Sequence, residues 1–276
     1  MRHQKTLTKE EWEQYHELGY ISLGIVYPEE QIDELCKRID EIMLGSISYE
    51  GMKMQVCPSA YGREDGTSFT IEPPKGTLKF RKIQELEMDP LFLAYIQHPL
   101  FRYISIELIG ERISIFRAMF FNKPANGGVP LVWHQDGRSW NLNKYPEMTI
   151  YTALDKATKA NGCVQIVPHS HRECTVHTVE SEEDIARFAP PEKRHFLEME
   201  KGEVVMFKAK TLHSSLTNTT DKPRRAFSIG FIDADSYNVK TNQRYPLVFP
   251  QYQPAEGNEL ASGLNVFAPR ARLRGG

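Results

Sequence analysis

The stretch Val129-Pro-Leu-Val-Trp-His-Gln-Asp136 ends on two groups able to bind a cation together. It reads as a strand, and strand side chains alternate faces, so His134 and Asp136 point the same way. An imidazole and a carboxylate on one face can take adjacent positions around one metal ion. A third ligand must come from a distant strand, and Thr211-Leu-His213 offers one. Two His and one carboxylate form the facial triad of non-haem Fe(II) sites, which leaves three coordination positions open for chemistry. HxD also reads as an ordinary strand-end pair hydrogen-bonded to each other. On HxD alone, the blander reading is the better one.

The elements that must position these residues are legible in outline. Thr8-Lys-Glu-Glu11 is a capping-box pattern, followed by a helix through Trp12, Tyr15 and Leu18 that stops at Gly19. Tyr20–Val26 reads as a short strand. Pro28 opens a second helix whose apolar positions Ile32, Leu35, Cys36, Ile39, Ile42 and Met43 recur at helical spacing. Residues 44–80 show no sustained period, and loops of that length inside a compact domain are usually functional lids or partly disordered. A third helix is expected around Pro90–Ile96, leading into Phe101–Ile109. From Arg112 on, strands are expected at Ile113–Asn122, Leu131–Asp136, Met148–Leu154, Val164–Val167, Glu203–Phe207 and Ala226–Ile232, with a charged helical insertion over Glu180–Lys193. Helices first and strands after argue α+β, as one domain over 1–276.

Composition narrows the function classes. The chain is 40% hydrophobic and 25% charged with a net charge of −2, without the basic excess expected of a nucleic-acid partner. No apolar run reaches the roughly 18 residues needed to cross a bilayer. The N-terminus, Met1-Arg-His-Gln-Lys-Thr, lacks the apolar core of a secretory signal. Cys36, Cys57, Cys163 and Cys174 show neither CxxC nor zinc-ribbon spacing, so a reducing cytoplasm is the expected setting.

Taken together, Leu7–Leu23, Phe121-Asn-Lys-Pro124, Trp133-His-Gln-Asp136, Asn161-Gly-Cys-Val-Gln-Ile-Val-Pro-His-Ser-His171, and Gly202–Phe207 through Thr211–Asn218 to Pro223-Arg-Arg225 resemble the phytanoyl-CoA dioxygenase family of Fe(II)- and 2-oxoglutarate-dependent oxygenases. The stretches run in the family's order over most of the chain, and they turn the balance toward a metal triad of His134, Asp136 and His213. The resemblance implies a double-stranded β-helix, a jelly-roll-like barrel with N-terminal helices on one sheet and the metal in its mouth. It implies Fe(II) as cofactor, with 2-oxoglutarate and O2 as co-substrates and a small molecule as substrate. Asp136 stands where halogenating relatives carry a small residue, so halogenation is not expected.

The distal carboxylate of 2-oxoglutarate needs an anchor, and a planar guanidinium suits it. The family's spacing of eleven residues beyond His213 lands on Arg224, with Arg225 as rival. If Arg224 points inward, so do the small residues Ala226, Ser228 and Gly230, while Arg225 shares the outer face with Phe227, Ile229 and Phe231. By the same resemblance Lys82, Met119, Tyr151 and Ser215 occupy places where the family contacts 2-oxoglutarate. Arg117, two residues before Met119, either pairs with a nearby acid or faces the barrel interior. With Arg138 and Trp140 at the rim it would favour an anionic substrate. His3, His16, His98, His177 and His195 read as surface residues. His169 and His171 read as structural, with His169 standing where the family has glycine, so that the turn after Pro168 is expected to differ in shape.

Two other classes stay open at this stage: a metal-binding barrel without turnover, and a metalloenzyme that does not use 2-oxoglutarate. The complete triad together with Arg224 favours the oxygenase over both.

Overall fold

Thr8 starts α1 (Lys9–Leu18) through the predicted capping box. Its Oγ1 accepts from the Glu11 N–H at 3.2 Å, and Glu11 Oε2 accepts from the Thr8 N–H at 2.8 Å. Gly19 ends the helix at φ +82°, a left-handed conformation that costs glycine little. The computed structural model describes residues 1–57, 76–137, 140–173 and 178–249.

The strands run in chain order as β1 (Tyr20–Ile25), β2 (Met54–Val56), β3 (Phe80–Ile83), β4 (Ile113–Lys123), β5 (Leu131–His134), β6 (Met148–Ala153), β7 (Val164–Ile166), β8 (Thr178–Val179), β9 (His195–Phe196), β10 (Glu203–Lys208), β11 (His213–Ser215) and β12 (Arg224–Asp233). They form two antiparallel sheets, one ordered β1-β10-β6-β12-β4-β3-β2 and the other β8-β5-β11-β7-β9. With helices α2 (Glu29–Met43), α3 (Pro90–Ile96) and α4 (Pro99–Ile109) on the larger sheet, the fold is the expected α+β jelly roll.

Residue alternation along β12 divides its two faces. Phe227, Ile229 and Phe231 are fully buried on the outer face, in one core with Ile32, Leu35 and Ile39 of α2 and Phe92 of α3. Phe92 meets Phe227 edge to face at 4.9 Å. Burying each such side chain stabilises the fold by roughly 1.5–3 kcal/mol. Arg225 shares this face and grips Asp155 with Nε and Nη2, while its Nη1 reaches Asp40 of α2 at 3.1 Å. The inner face carries Arg224, Ala226, Ser228 and Gly230. Pairing with β4 and β6 sets Ser228 level with Met119 and Tyr151, and Gly230 level with Arg117.

Several expectations need correction. The segment 44–80 is not wholly irregular: among its described residues, β2 hydrogen-bonds to β3, and buried Tyr49 donates to Asp89 at 2.7 Å. Residues 58–75, and with them most of the expected lid, lie outside the described residues, as do Cys174 and His177. His98 is not a surface residue. Its Nδ1 accepts from the Leu100 N–H at 3.1 Å as the cap of α4, and its ring packs on Tyr27 at 4.6 Å. Burial lowers its pKa to about 4, consistent with a neutral acceptor nitrogen. His195, in β9, is exposed as expected. His169 takes φ +66° itself, so the turn keeps a left-handed residue where the family has glycine. The insertion holds the expected helix as α6 (Glu182–Phe188), capped by Ser181, and a short α5 (Ser170–Glu173) precedes it.

Candidate active site

β5 and β11 are direct neighbours, and their register sets His134 opposite His213 with ring centroids 4.1 Å apart. Each imidazole is turned by its own backbone. His134 Nδ1 lies 2.9 Å from the Val132 carbonyl, and His213 Nδ1 lies 2.9 Å from the Thr211 carbonyl. A carbonyl only accepts, so each Nδ1 carries the proton and each Nε2 keeps its lone pair. Asp136 follows β5, with Oδ1 3.8 Å from His134 Nε2. One ligand atom from each of the three residues lies within 4.8 Å of the others. Two imidazole lone pairs and a carboxylate converging at this spacing fit a divalent transition metal.

The protonation states suit that role. Burial pushes the His213 imidazole down to about 4, helped by His134 and opposed by Asp136, so it is neutral near pH 7. Burial works against a charged Asp136, but Arg117, then His213 and His134, outweigh it and hold the carboxyl well below the usual carboxylate range. A neutral imidazole and an ionised carboxylate are the forms that bind metal.

A cavity of about 220 Å³ opens from the three ligands along the inner face of the larger sheet. Arg224 stands in it, 3% exposed, with Nη1 donating to the Tyr151 hydroxyl at 2.6 Å and Nη2 to the Gly162 carbonyl at 2.8 Å. Its Nε is buried without an acceptor among the described residues. Gly162, at φ +73°, is required here, since a Cβ would lie 2.2 Å from the Leu216 carbonyl oxygen. Its turn therefore both fits the chain and aims a carbonyl at the guanidinium.

The phytanoyl-CoA dioxygenase (PhyH) family model matches residues 15–226. The chain belongs to the phytanoyl-CoA dioxygenase family. A phytanoyl-CoA dioxygenase of Arabidopsis thaliana is 25% identical over 255 residues, covering 83% of this chain and 90% of its own. The peroxisomal phytanoyl-CoA dioxygenase of Homo sapiens is 24% identical, with coverage of 84% and 70%. The crystal structure of EctD from S. alaskensis with 2-oxoglutarate and 5-hydroxyectoine superimposes with a TM-score of 0.66 at 20% identity, over 85% of this chain and 78% of that one. Family and fold are therefore those of iron- and 2-oxoglutarate-dependent oxygenases.

The phytanoyl-CoA dioxygenase motifs bring most of the expected residues to one cavity. Lys82, Met119, Tyr151 and Ser215 all line it with Arg224 and the three candidate ligands. Arg117 and Trp140 line it too, whereas Arg138 lies outside the described residues. Arg117 meets both of its expected alternatives: it faces the cavity and pairs with an acid, its Nη2 lying 3.0 Å from Asp136 Oδ2. With its charge met by Asp136, Arg117 does not by itself call for an anionic substrate.

Sequence reasoning missed Arg81, Lys123 and Thr149. All three line the cavity, and Lys123 Nζ donates to the Val129 carbonyl at 2.9 Å. The parity that placed Arg117 two residues before Met119 also places Thr149 two before Tyr151, and carries on from Met119 to Lys123. Arg81 gave no such signal, because it lies on the opposite parity from Lys82.

Proposed function

We propose that this chain is an Fe(II)- and 2-oxoglutarate-dependent dioxygenase that hydroxylates, or otherwise oxidises, an unactivated C–H bond of a small anionic metabolite. The observation that carries the reading is the single cavity that joins His134, Asp136 and His213 to Arg224. Bound together, iron, 2-oxoglutarate and O2 supply an oxidant strong enough to take hydrogen from such a bond while the co-substrate is split to succinate and CO2.

The chain's own residues bind, orient and exclude water. Arg224 offers charge-assisted donors to the distal carboxylate of 2-oxoglutarate, and its buried, unfilled Nε suits an incoming acceptor. Tyr151, already accepting from Arg224, is free to turn its own O–H toward the same carboxylate. Met119 and Phe121 give this end of the cavity apolar walls that keep water from competing. The carbonyls of Val132 and Thr211 fix both imidazoles in one orientation, so that ligand binding costs little rearrangement.

The anionic substrate is supported by charge. Among the described residues, Lys82, Arg117, Lys123 and Arg224 line the cavity together with the carboxylate of Asp136. Burial, together with neighbouring cations, lowers Lys82 to about 8 and Lys123 to about 7. Anions entering the cavity would relieve that crowding. The test is substrate-stimulated succinate release over panels of acidic, neutral and cationic compounds. Acidic compounds are expected to give the best turnover; best turnover with a cationic or wholly apolar compound would sink this assignment.

Lys82 also makes the site sensitive to pH. Its folded pKa lies below its ordinary value, so the ammonium is charged below about 8 and is lost as pH rises through that point. A charged hydrogen bond is worth roughly 1.5–3 kcal/mol. The KM for 2-oxoglutarate should therefore rise at least about tenfold across that transition, and Lys82→Arg, which keeps its charge, should flatten the profile. An unchanged KM through pH 9 in wild type would remove Lys82 from anion binding.

A further inference from the structure

The two oxygens of Asp136 have different surroundings. Oδ2 accepts from Arg117 Nη2 at 3.0 Å and from Thr149 Oγ1 at 2.8 Å. Oδ1 points toward the imidazoles and accepts no hydrogen bond from the described residues. Arg117 and Thr149 reach this oxygen from β4 and β6, the two strands that flank β12. Between them stands Gly230, directly opposite Arg117, where a Cβ would lie 3.4 Å from Arg117 Cβ and 3.8 Å from its Nε. The guanidinium lies over the Trp140 ring, 4.2 Å from its centroid. Trp140 is itself braced by Phe116 at 4.9 Å, and Phe116 by Tyr245 at 5.1 Å.

We propose that Arg117 and Thr149 are positioning residues that hold Asp136 as a one-oxygen metal ligand, occupying Oδ2 so that only Oδ1 is offered to the ion. The inference rests on the metal centre proposed above and concerns what keeps that centre open. A carboxylate free to turn can bind an ion through both oxygens and take a coordination position that the co-substrates need. With Oδ2 held by one charge-assisted and one neutral hydrogen bond, such a turn requires breaking both. Thr149 is 1% exposed and Arg117 is stacked, so neither gives way easily. Arg117 does a second thing: its charge lies beside an ionised, buried carboxylate that would otherwise be costly in the metal-free chain.

The test uses the full chain with Mn(II) or Co(II) and needs no turnover. Loss of a partner that orients a ligand typically costs 10- to 100-fold in metal affinity. Thr149→Val, equal in shape, and Arg117→Gln should each weaken Mn(II) binding about tenfold or more by calorimetry. Each should also alter the visible ligand-field bands of the Co(II) form, as the carboxylate changes its mode of binding. Thr149→Ser, which keeps the hydroxyl, should restore both, and this variant separates positioning from packing. Wild-type Mn(II) affinity and unchanged Co(II) bands in Thr149→Val and Arg117→Gln would overturn the proposal. A wild-type chain that binds neither ion would overturn the metal reading itself, and this inference with it. Should Arg117→Gln fail to fold, the Thr149 pair decides alone.

Discussion

Replacing His134, Asp136 or His213 is expected to abolish iron-dependent decarboxylation of 2-oxoglutarate, a loss well beyond the roughly 100-fold that removing a merely supporting partner costs. The three residues come from β5, the turn after it, and β11, and each presents one ligand atom to the same point. Removing any one leaves two donors. His134→Ala and His213→Ala should keep the fold, because among the described residues each imidazole hydrogen-bonds to its own backbone two residues back. Asp136→Asn is a gentler change than Asp136→Ala, since it leaves an oxygen for Thr149 and Arg117 in place of an empty space beside a buried cation. Near-wild-type turnover in two of the three positions would mean that the ligand set is wrong.

The second large effect separates two adjacent arginines. Arg224→Ala removes the charged partner expected to hold the distal carboxylate, a loss of roughly 2–5 kcal/mol, so the KM for 2-oxoglutarate should rise at least about thirtyfold with the fold intact. Arg225→Ala should leave that KM alone and lower stability. Its guanidinium holds Asp155 through Nε at 2.8 Å and Nη2 at 2.9 Å and ties α2 to the sheet through Asp40. Breaking a buried pair costs roughly 3–5 kcal/mol, and less here because these groups are partly exposed, so a fall of several degrees in melting midpoint is expected. The reverse pattern, with KM following Arg225, would place the wrong face of β12 toward the cavity.

Why the sequence carried this far, and no farther, follows from which information is local. The capping box at Thr8 and Glu11 and the stop at Gly19 depend on residues within one helix turn, and both stand in the structure as read. Parity along β12 is equally local: two small residues and a glycine after Arg224, three large apolar ones after Arg225. Pairing between distant strands is not local. Nothing in Thr211-Leu-His213 says that His213 lies opposite His134, since that register depends on β11 being inserted between β5 and β7. Short strands are also invisible to periodicity. β2 has three residues, and β8 and β9 have two each, too few for an alternation to rise above chance. His98 was misread for a related reason: a histidine before Pro99 looks like a polar loop residue until Tyr27, far away in the chain, covers its ring. Thr149 was within reach, because the rule that placed Tyr151 on the inner face applies two residues earlier. Arg117 shows the limit of parity from the other side. Its direction was legible, but its partner was not, and the partner decides whether it faces a substrate or a metal ligand.

One measurement bears most directly on the central claim. Purified chain, freed of metal, is loaded without oxygen with Fe(II), with 2-oxoglutarate, or with both, then exposed to O2, and succinate is counted per chain. Succinate should form only where iron and 2-oxoglutarate are both present, and Asp136→Asn treated in the same way should form almost none. Succinate at the same level without iron or from the Asp136→Asn chain, or none from a wild-type chain with both bound, would contradict the assignment.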